Sequence, residues 1–361
     1  MKSSISLVQT VMIIFLSTGL LNHIIIIPIL LDVAKRDAWV SVLLAGTCSL
    51  VWIALLCIGI RKMHKQHLFE WIKQAYHPLV GHLLAIVASV YLFVLCAVTV
   101  RDTVHWIHLA FSPNTPILIL TFILVLISAI NAFLGINSLA NTAGFLLPLV
   151  IILGLFLMFA NIPHRNFSFL KPILAHGMQP VWNGSIYVGA GLVELIMLFF
   201  LQHHIQSRIS YRSLGIISLL LMFLTIGPLI SAVVEFGPEE AAKLRFPVYE
   251  EWRLVTIGRY VEHLDFLSIY QWFCGAFLRI SLMMFLIIDV FNIQTKRKKM
   301  IMLSFIFFIL VGITIIPYSD PVFLHLQSKY ILPYSLFGIL IFSIIVVGLI
   351  NFGYRREKLN P

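Results

Sequence analysis

Residues 184–206 read GSIYVGAGLVELIMLFFLQHHIQ. With one carboxylate, Glu194, and no lysine or arginine, this run has the length and apolarity of a helix that crosses a bilayer, which takes about 20 residues. Yet Gly189, Ala190 and Gly191 interrupt it, and Glu194 stands near its middle. Loosened backbone and charge at that depth are tolerated where they line a cavity enclosed by protein. A second interrupted run lies near the N-terminus, where Ser17, Thr18 and Gly19 and then Asn22 and His23 separate two strongly apolar segments.

The rest of the 361 residues extends the pattern. Hydrophobic residues make up 60% and charged residues 11%, against roughly 45–50% and 25% in soluble domains, which excludes a soluble globule. The charge-free intervals predict ten spans: 3–31, 38–60, 74–100, 116–134, 141–160, 184–206, 213–234, 266–293, 300–317 and 330–353. Asn131, Asn137, Ser138 and Asn141 with Gly135 divide the fourth from the fifth. The expected fold is an all-α integral membrane protein, one polytopic domain over 1–361, in five-helix halves of residues 8–160 and 184–353. The two interrupted helices open the two halves, and such paired interruptions point to a transporter-type site near the membrane midplane.

Lysine and arginine orient the chain. With the N-terminus inside, the inner segments carry fourteen basic residues, including Arg61, Lys62, Lys65 and Lys296 to Lys299, against Glu70 and Glu357. The outer segments are nearly neutral, so both termini are expected to be cytoplasmic. Between spans 2 and 3, Leu68, Trp71, Ile72 and Ala75 recur at helical spacing, as in a short interfacial helix on an anionic leaflet. Residues 236–265 form a lid-like outer loop, with short helices expected around 238–244 and 248–261 on either side of Pro247.

Three charges fall within spans: Glu194, Arg279 and Asp289. Glu194 and Arg279 are candidates for an intramembrane pair; alternatively Arg279 snorkels or holds backbone carbonyls beside an interrupted helix, and the residues leave these readings open. Asp289 precedes the basic run 296–299 and is expected to pair with it at the boundary, near an interfacial His203 and His204. Freed N–H groups at a half-helix start suit a carboxylate and freed carbonyls an ammonium, as an amino acid ligand needs. Tyr91 and Trp272 are candidates to face the cavity, and Ser281 and Phe285 follow Arg279 at helical spacing.

Other chemistries find no support. Cys48, Cys57, Cys96 and Cys274 lie singly within apolar runs, which suggests neither disulfide nor metal site. Basic residues scattered between spans make no stripe for nucleic acid. No zinc-protease, phosphate-loop or nucleophile-elbow motif occurs, so no catalytic residue, cofactor or enzymatic activity is expected.

The ten-span layout with interrupted helices 1 and 6 resembles the amino acid, polyamine and organocation transporter superfamily, whose fold is a five-plus-five inverted repeat. Within it the chain resembles the endospore germination permeases, the B subunits of GerA-type nutrient receptors. The resemblance rests on length, on residues 22–28, and on Phe246-Pro247, Arg253, Gly258-Arg259, Glu262-His263-Leu264-Asp265 and Trp272; His263 stands where the family usually carries arginine. It implies a protein of the spore inner membrane that binds a small nutrient germinant such as an amino acid. It further implies an A subunit and a lipoprotein C subunit as partners, and the triggering of germination. By the same resemblance the ligand would lie among Thr18, Gly19, Asn22, Tyr91, Gly189, Gly191, Glu194, Ser281 and Phe285.

Two functions need this pocket: a sensor that keeps a transporter fold, and an active secondary amino acid transporter coupled to protons or cations. In the second, Glu194 would be the carrier site.

Overall fold

A computed structural model describes residues 4–63, 65–256, 263–317 and 319–359, with side chains as far as residue 354. Span 1 comprises Leu7–Leu20, a π turn at Leu21–Ile25, and Ile27–Ala34. Spans 2 to 5 are Ala38–Met63, Pro78–Ala110, Ile117–Leu134 and Ile136–Ala160. Span 6 runs through Gln179–Leu192, a 3-10 segment at Val193–Ile196, and Met197–Leu201. Span 7 is Tyr211–Phe236, span 8 Leu267–Val290, span 9 Lys296–Thr314, and span 10 Leu332–Leu359, led by a short helix and a π turn from Asp320.

Among the described residues, nine helical stretches are long and apolar enough to cross a membrane. Span 9 completes the expected ten: its first turn is Lys296, Arg297, Lys298 and Lys299, charges that belong at a membrane surface, and the turns beyond are apolar. Part of the packing recurs when span n is exchanged for span n+5. Span 1 packs on spans 5 and 7, and span 6 on spans 10 and 2; span 4 packs on span 8, and span 9 on span 3. Because each half holds an odd number of crossings, the halves run in opposite directions. One continuous hydrophobic core joins them.

Several boundaries move, each for a physical reason. Span 3 continues past Arg101 and Asp102, because these side chains are buried and Asp102 is met by Arg245. Span 5 begins at Ile136, straight after Gly135, whose φ of 93° reverses the chain as other residues rarely can. The polar group there serves the turn, with the Ser138 hydroxyl donating to Asn131 Oδ1 at 2.7 Å. The helix between spans 2 and 3 is Leu68–Ala75. Its apolar face meets protein: Phe69 packs on Phe200, and Trp71 stacks on Tyr354.

The lid holds two short helices, Pro238–Ala241 and Pro247–Arg253. The second is shorter than expected, and Gly258, Arg259 and Glu262 lie outside the described residues. Below we call the two ends of the bundle the lid end and the basic end.

Candidate functional site

Where span 1 meets span 6, helix type changes on both sides. In span 1 the α-helix runs unbroken through Ser17, Thr18 and Gly19, and the disturbance falls later, at Leu21–Ile25. Pro28 explains the position. It lacks an N–H, and its ring would strike the carbonyl four residues back, at Ile24. Widening into a π turn, with Ile26 N–H donating to the Leu21 carbonyl at 3.0 Å, relieves the clash. Gly189–Gly191 likewise stays helical, and the tightening follows at Val193–Ile196, carrying Glu194.

Gly191 is there for proximity. A Cβ on it would lie 2.3 Å from Asn22 Oδ1, so a larger residue here would have to displace the Asn22 side chain. The Asn22 amide donates to the Thr18 carbonyl at 2.9 Å, which leaves its oxygen buried without a partner.

Arg279 crosses to this junction from span 8. Its two terminal nitrogens donate in parallel to both oxygens of Glu194, one of them also to the Ser17 carbonyl at 3.1 Å, and its Nε–H donates to Thr99 Oγ1 at 2.9 Å. Arg279 and Glu194 are 1% and 0% exposed, so this is an ion pair sealed from solvent. Such a pair persists when its geometry is good and its remaining hydrogen-bonding capacity is met, as here. Arg279 thus meets Glu194 and holds a backbone carbonyl of span 1, and at 1% exposure it does not snorkel to a surface.

Around this node other polar atoms lack partners. Ser17 Oγ, Asn22 Oδ1 and Tyr91 Oη are buried and unbonded, and Tyr91 lies within the field of both Glu194 and Arg279. Unmet buried groups cost about 1–3 kcal/mol each, so their gathering singles this node out as the candidate site. Two turns toward the lid end, Trp106 and Trp272 stack with centroids 4.1 Å apart, and lid residue Phe246 meets Trp272 edge-on. The lid thus roofs the node with aromatic rings.

Not every sequence candidate reaches the node. Thr18, Asn22, Tyr91, Gly191 and Glu194 gather there. Gly19 faces Leu224 of span 7, and Gly189 faces Leu336 of span 10. Ser281 spends its hydroxyl on the Phe277 carbonyl at 2.7 Å, and Phe285 packs on His204 near the basic end. Sequence reading named Ser17 only as part of the interruption and missed Thr99; the signal for Thr99 is its spacing of eight from Tyr91, about two turns along span 3.

Asp289 corrects an expectation. It bonds not the basic run of span 9 but His203 and His204 of span 6, at 3.2 and 3.0 Å. The Asp289 carbonyl also accepts from His67 Nε2 at 2.7 Å. Burial and the neighbouring His203 hold His67 below the usual imidazole range, so its ring stays neutral. His67, His203 and Asp289 bring three donor atoms within 4.8 Å of one another, a spacing suited to a metal ion. Both nitrogens of His67 are already engaged, however, Nδ1 accepting from the Glu70 N–H, so hydrogen bonding accounts for the cluster.

The lid is fastened by charge. Arg245 donates to Asp102 of span 3 at 2.6 Å and stands 3.7 Å from Asp320 ahead of span 10. On its other side, Asn161 at the end of span 5 donates to the Glu251 carbonyl at 2.8 Å.

Fold and site together define, among the described residues, an all-helical, multi-span membrane protein with a sealed ion pair where two interrupted helices cross. The chain belongs to the family of spore germination proteins, whose family model matches residues 4–320. It is 42% identical to spore germination protein XB of Bacillus anthracis, over 97% of this chain and 98% of that one. To spore germination protein KB of Bacillus subtilis it is 24% identical, over 93% and 94%. A manganese transporter of Eremococcus coleocola, 12% identical, superposes with a TM-score of 0.46 over 93% of this chain and 77% of that one.

Proposed function

We propose that this protein is the membrane-embedded nutrient-sensing subunit of a spore germinant receptor, and that it binds an amino acid or similar small germinant at the Glu194–Arg279 node. Unpaired buried oxygens of Ser17, Asn22 and Tyr91 around a neutral ion pair carry this reading. An amino acid zwitterion is complementary to that pair: its carboxylate replaces Glu194 on Arg279, its ammonium takes the freed Glu194, and net charge is unchanged. The exchange loosens the tie between spans 1, 3, 6 and 8, which gives ligand binding a conformational output. Family membership supports a role in germination, with the A and lipoprotein C receptor subunits as partners in the spore inner membrane. The basic residues at 61, 62, 65, 73, 208, 212 and 296–299 support cytoplasmic termini.

Sensing is favoured over coupled transport because both Glu194 oxygens are already held by Arg279, which leaves no unengaged carboxylate at the node to serve as a carrier site. Two assays test this. Spores lacking the protein should lose germination on a subset of the nutrients that trigger the parent strain. Vesicles holding the chain alone should bind labelled amino acid without accumulating it under a proton gradient; accumulation would establish the transporter.

A further inference from the structure

On a different face of span 1 from the node, a cavity of about 440 Å³ runs between spans 1, 5, 7 and 8 from Gly19 to the underside of the lid. Its volume lies within the range of roughly 300–1,000 Å³ typical of small-molecule sites. Apolar side chains such as Phe15, Ile24, Met158 and Phe223 wall most of it, and Arg165, Ser231, Glu251 and Gln271 gather at the lid end.

The polar groups there are unequally satisfied. Arg165 donates to Glu235 at 3.1 Å and to Ser231 at 2.9 Å, and Asn161 donates to the other Glu235 oxygen at 3.0 Å. Glu251 is treated differently: it is 3% exposed, and its Oε1 is buried with no hydrogen-bond partner. Two carboxylates thus share one guanidinium, and that guanidinium is spent on Glu235. Deeper in the cavity, His23 Nδ1 faces the Leu224 carbonyl at 3.0 Å and must carry the proton of the neutral ring. Its Nε2 is left as an acceptor. A guest therefore meets carboxyl and imidazole acceptors beside apolar walls, and an ammonium placed against Glu251 favours its ionised form.

We propose that this cavity is a second ligand site, for a small amphiphilic amine whose ammonium donates to Glu251 while its apolar body lies along spans 5 and 7. Glu251 belongs to the lid and Gly19 and His23 to span 1, so the amine ties the lid to the helix that carries the π turn. The site does not depend on nutrient binding at the node.

The test uses the full chain in lipid nanodiscs with two tritiated probes of one shape, 4-phenylbutylammonium and 4-phenylbutanol. Saturable binding of the ammonium is expected. Glu251→Gln removes a charge-assisted bond and should weaken the ammonium about tenfold or more, leaving the alcohol within about twofold. Gly227 lines the cavity, and a Cβ there meets nothing within 4 Å, so Gly227→Phe fills the space and should abolish binding of the ammonium. No saturable ammonium binding to the native chain, or binding unchanged in Gly227→Phe, overturns the proposal. So does an equal effect of Glu251→Gln on both probes; should that variant fail to fold, Gly227→Phe decides alone.

Discussion

Arg279 grips both carboxylate oxygens of Glu194 from a helix 85 residues away in sequence, and the same guanidinium reaches Thr99 and the Ser17 carbonyl. One side chain thereby joins spans 1, 3, 6 and 8. Removing either partner alone strands a buried charge, which costs about 3–5 kcal/mol, whereas removing both leaves none. Arg279→Met and Glu194→Gln should each lower the melting temperature of the purified protein sharply, with the double variant milder than the sum of the two. Additive losses would show that the two residues act independently.

Gly191 and Asn22 make a second coupled pair. Gly191→Ala presses a methyl group against Asn22 and should reduce stability by about 1–3 kcal/mol. Asn22→Ala in the same chain clears the space. Thermal unfolding of the single and double variants checks this, and failure of the second change to recover part of the loss would place the strain elsewhere.

The lid should open when its latch is cut. With Arg245→Ala, the charge-assisted bond to buried Asp102 is lost, and amide hydrogen exchange at residues 247–253 should quicken about tenfold, leaving spans 3 and 8 unaffected. Exchange unchanged in the lid would mean that Phe246 and Trp252 hold it without the latch.

Acid should tighten the lid. Burial, and then the neighbouring Glu235, hold the Glu251 carboxyl well above its ordinary 4.5. Because the docked form binds the proton more strongly, this contribution is fully present below pH 4.5 and is lost as pH rises through the raised value. Protection of the lid amides, taken relative to the intrinsic exchange rate at each pH, should accordingly rise from pH 8 to pH 5, and Glu251→Gln should flatten that profile. A profile as steep in Glu251→Gln as in the parent would assign the titration to another group.

Much of this was readable from composition and spacing, because charge is so costly in hydrocarbon that its absence marks the spans. Glu194 and Arg279 stood out for the same reason. Placement of the helix disturbances was not readable: glycine at 19 and at 189–191 suggested breaks, but Pro28 and the crowding of Gly191 on Asn22 determine where the helices deform. Charge also misled as a ruler in span 3, where Asp102 is paired by Arg245 from the lid. That partner, like the histidines that meet Asp289, is distant in sequence and carries no periodic signal.

The most direct measurement is equilibrium binding of labelled amino acid germinants to the purified chain in nanodiscs, compared among the native protein, Asn22→Ala, Tyr91→Phe and Gly227→Phe. Binding at the node predicts saturable association with the native chain, weakened about tenfold by the first two changes and unaffected by the third. Binding indifferent to Asn22 and Tyr91, or lost only in Gly227→Phe, would contradict it.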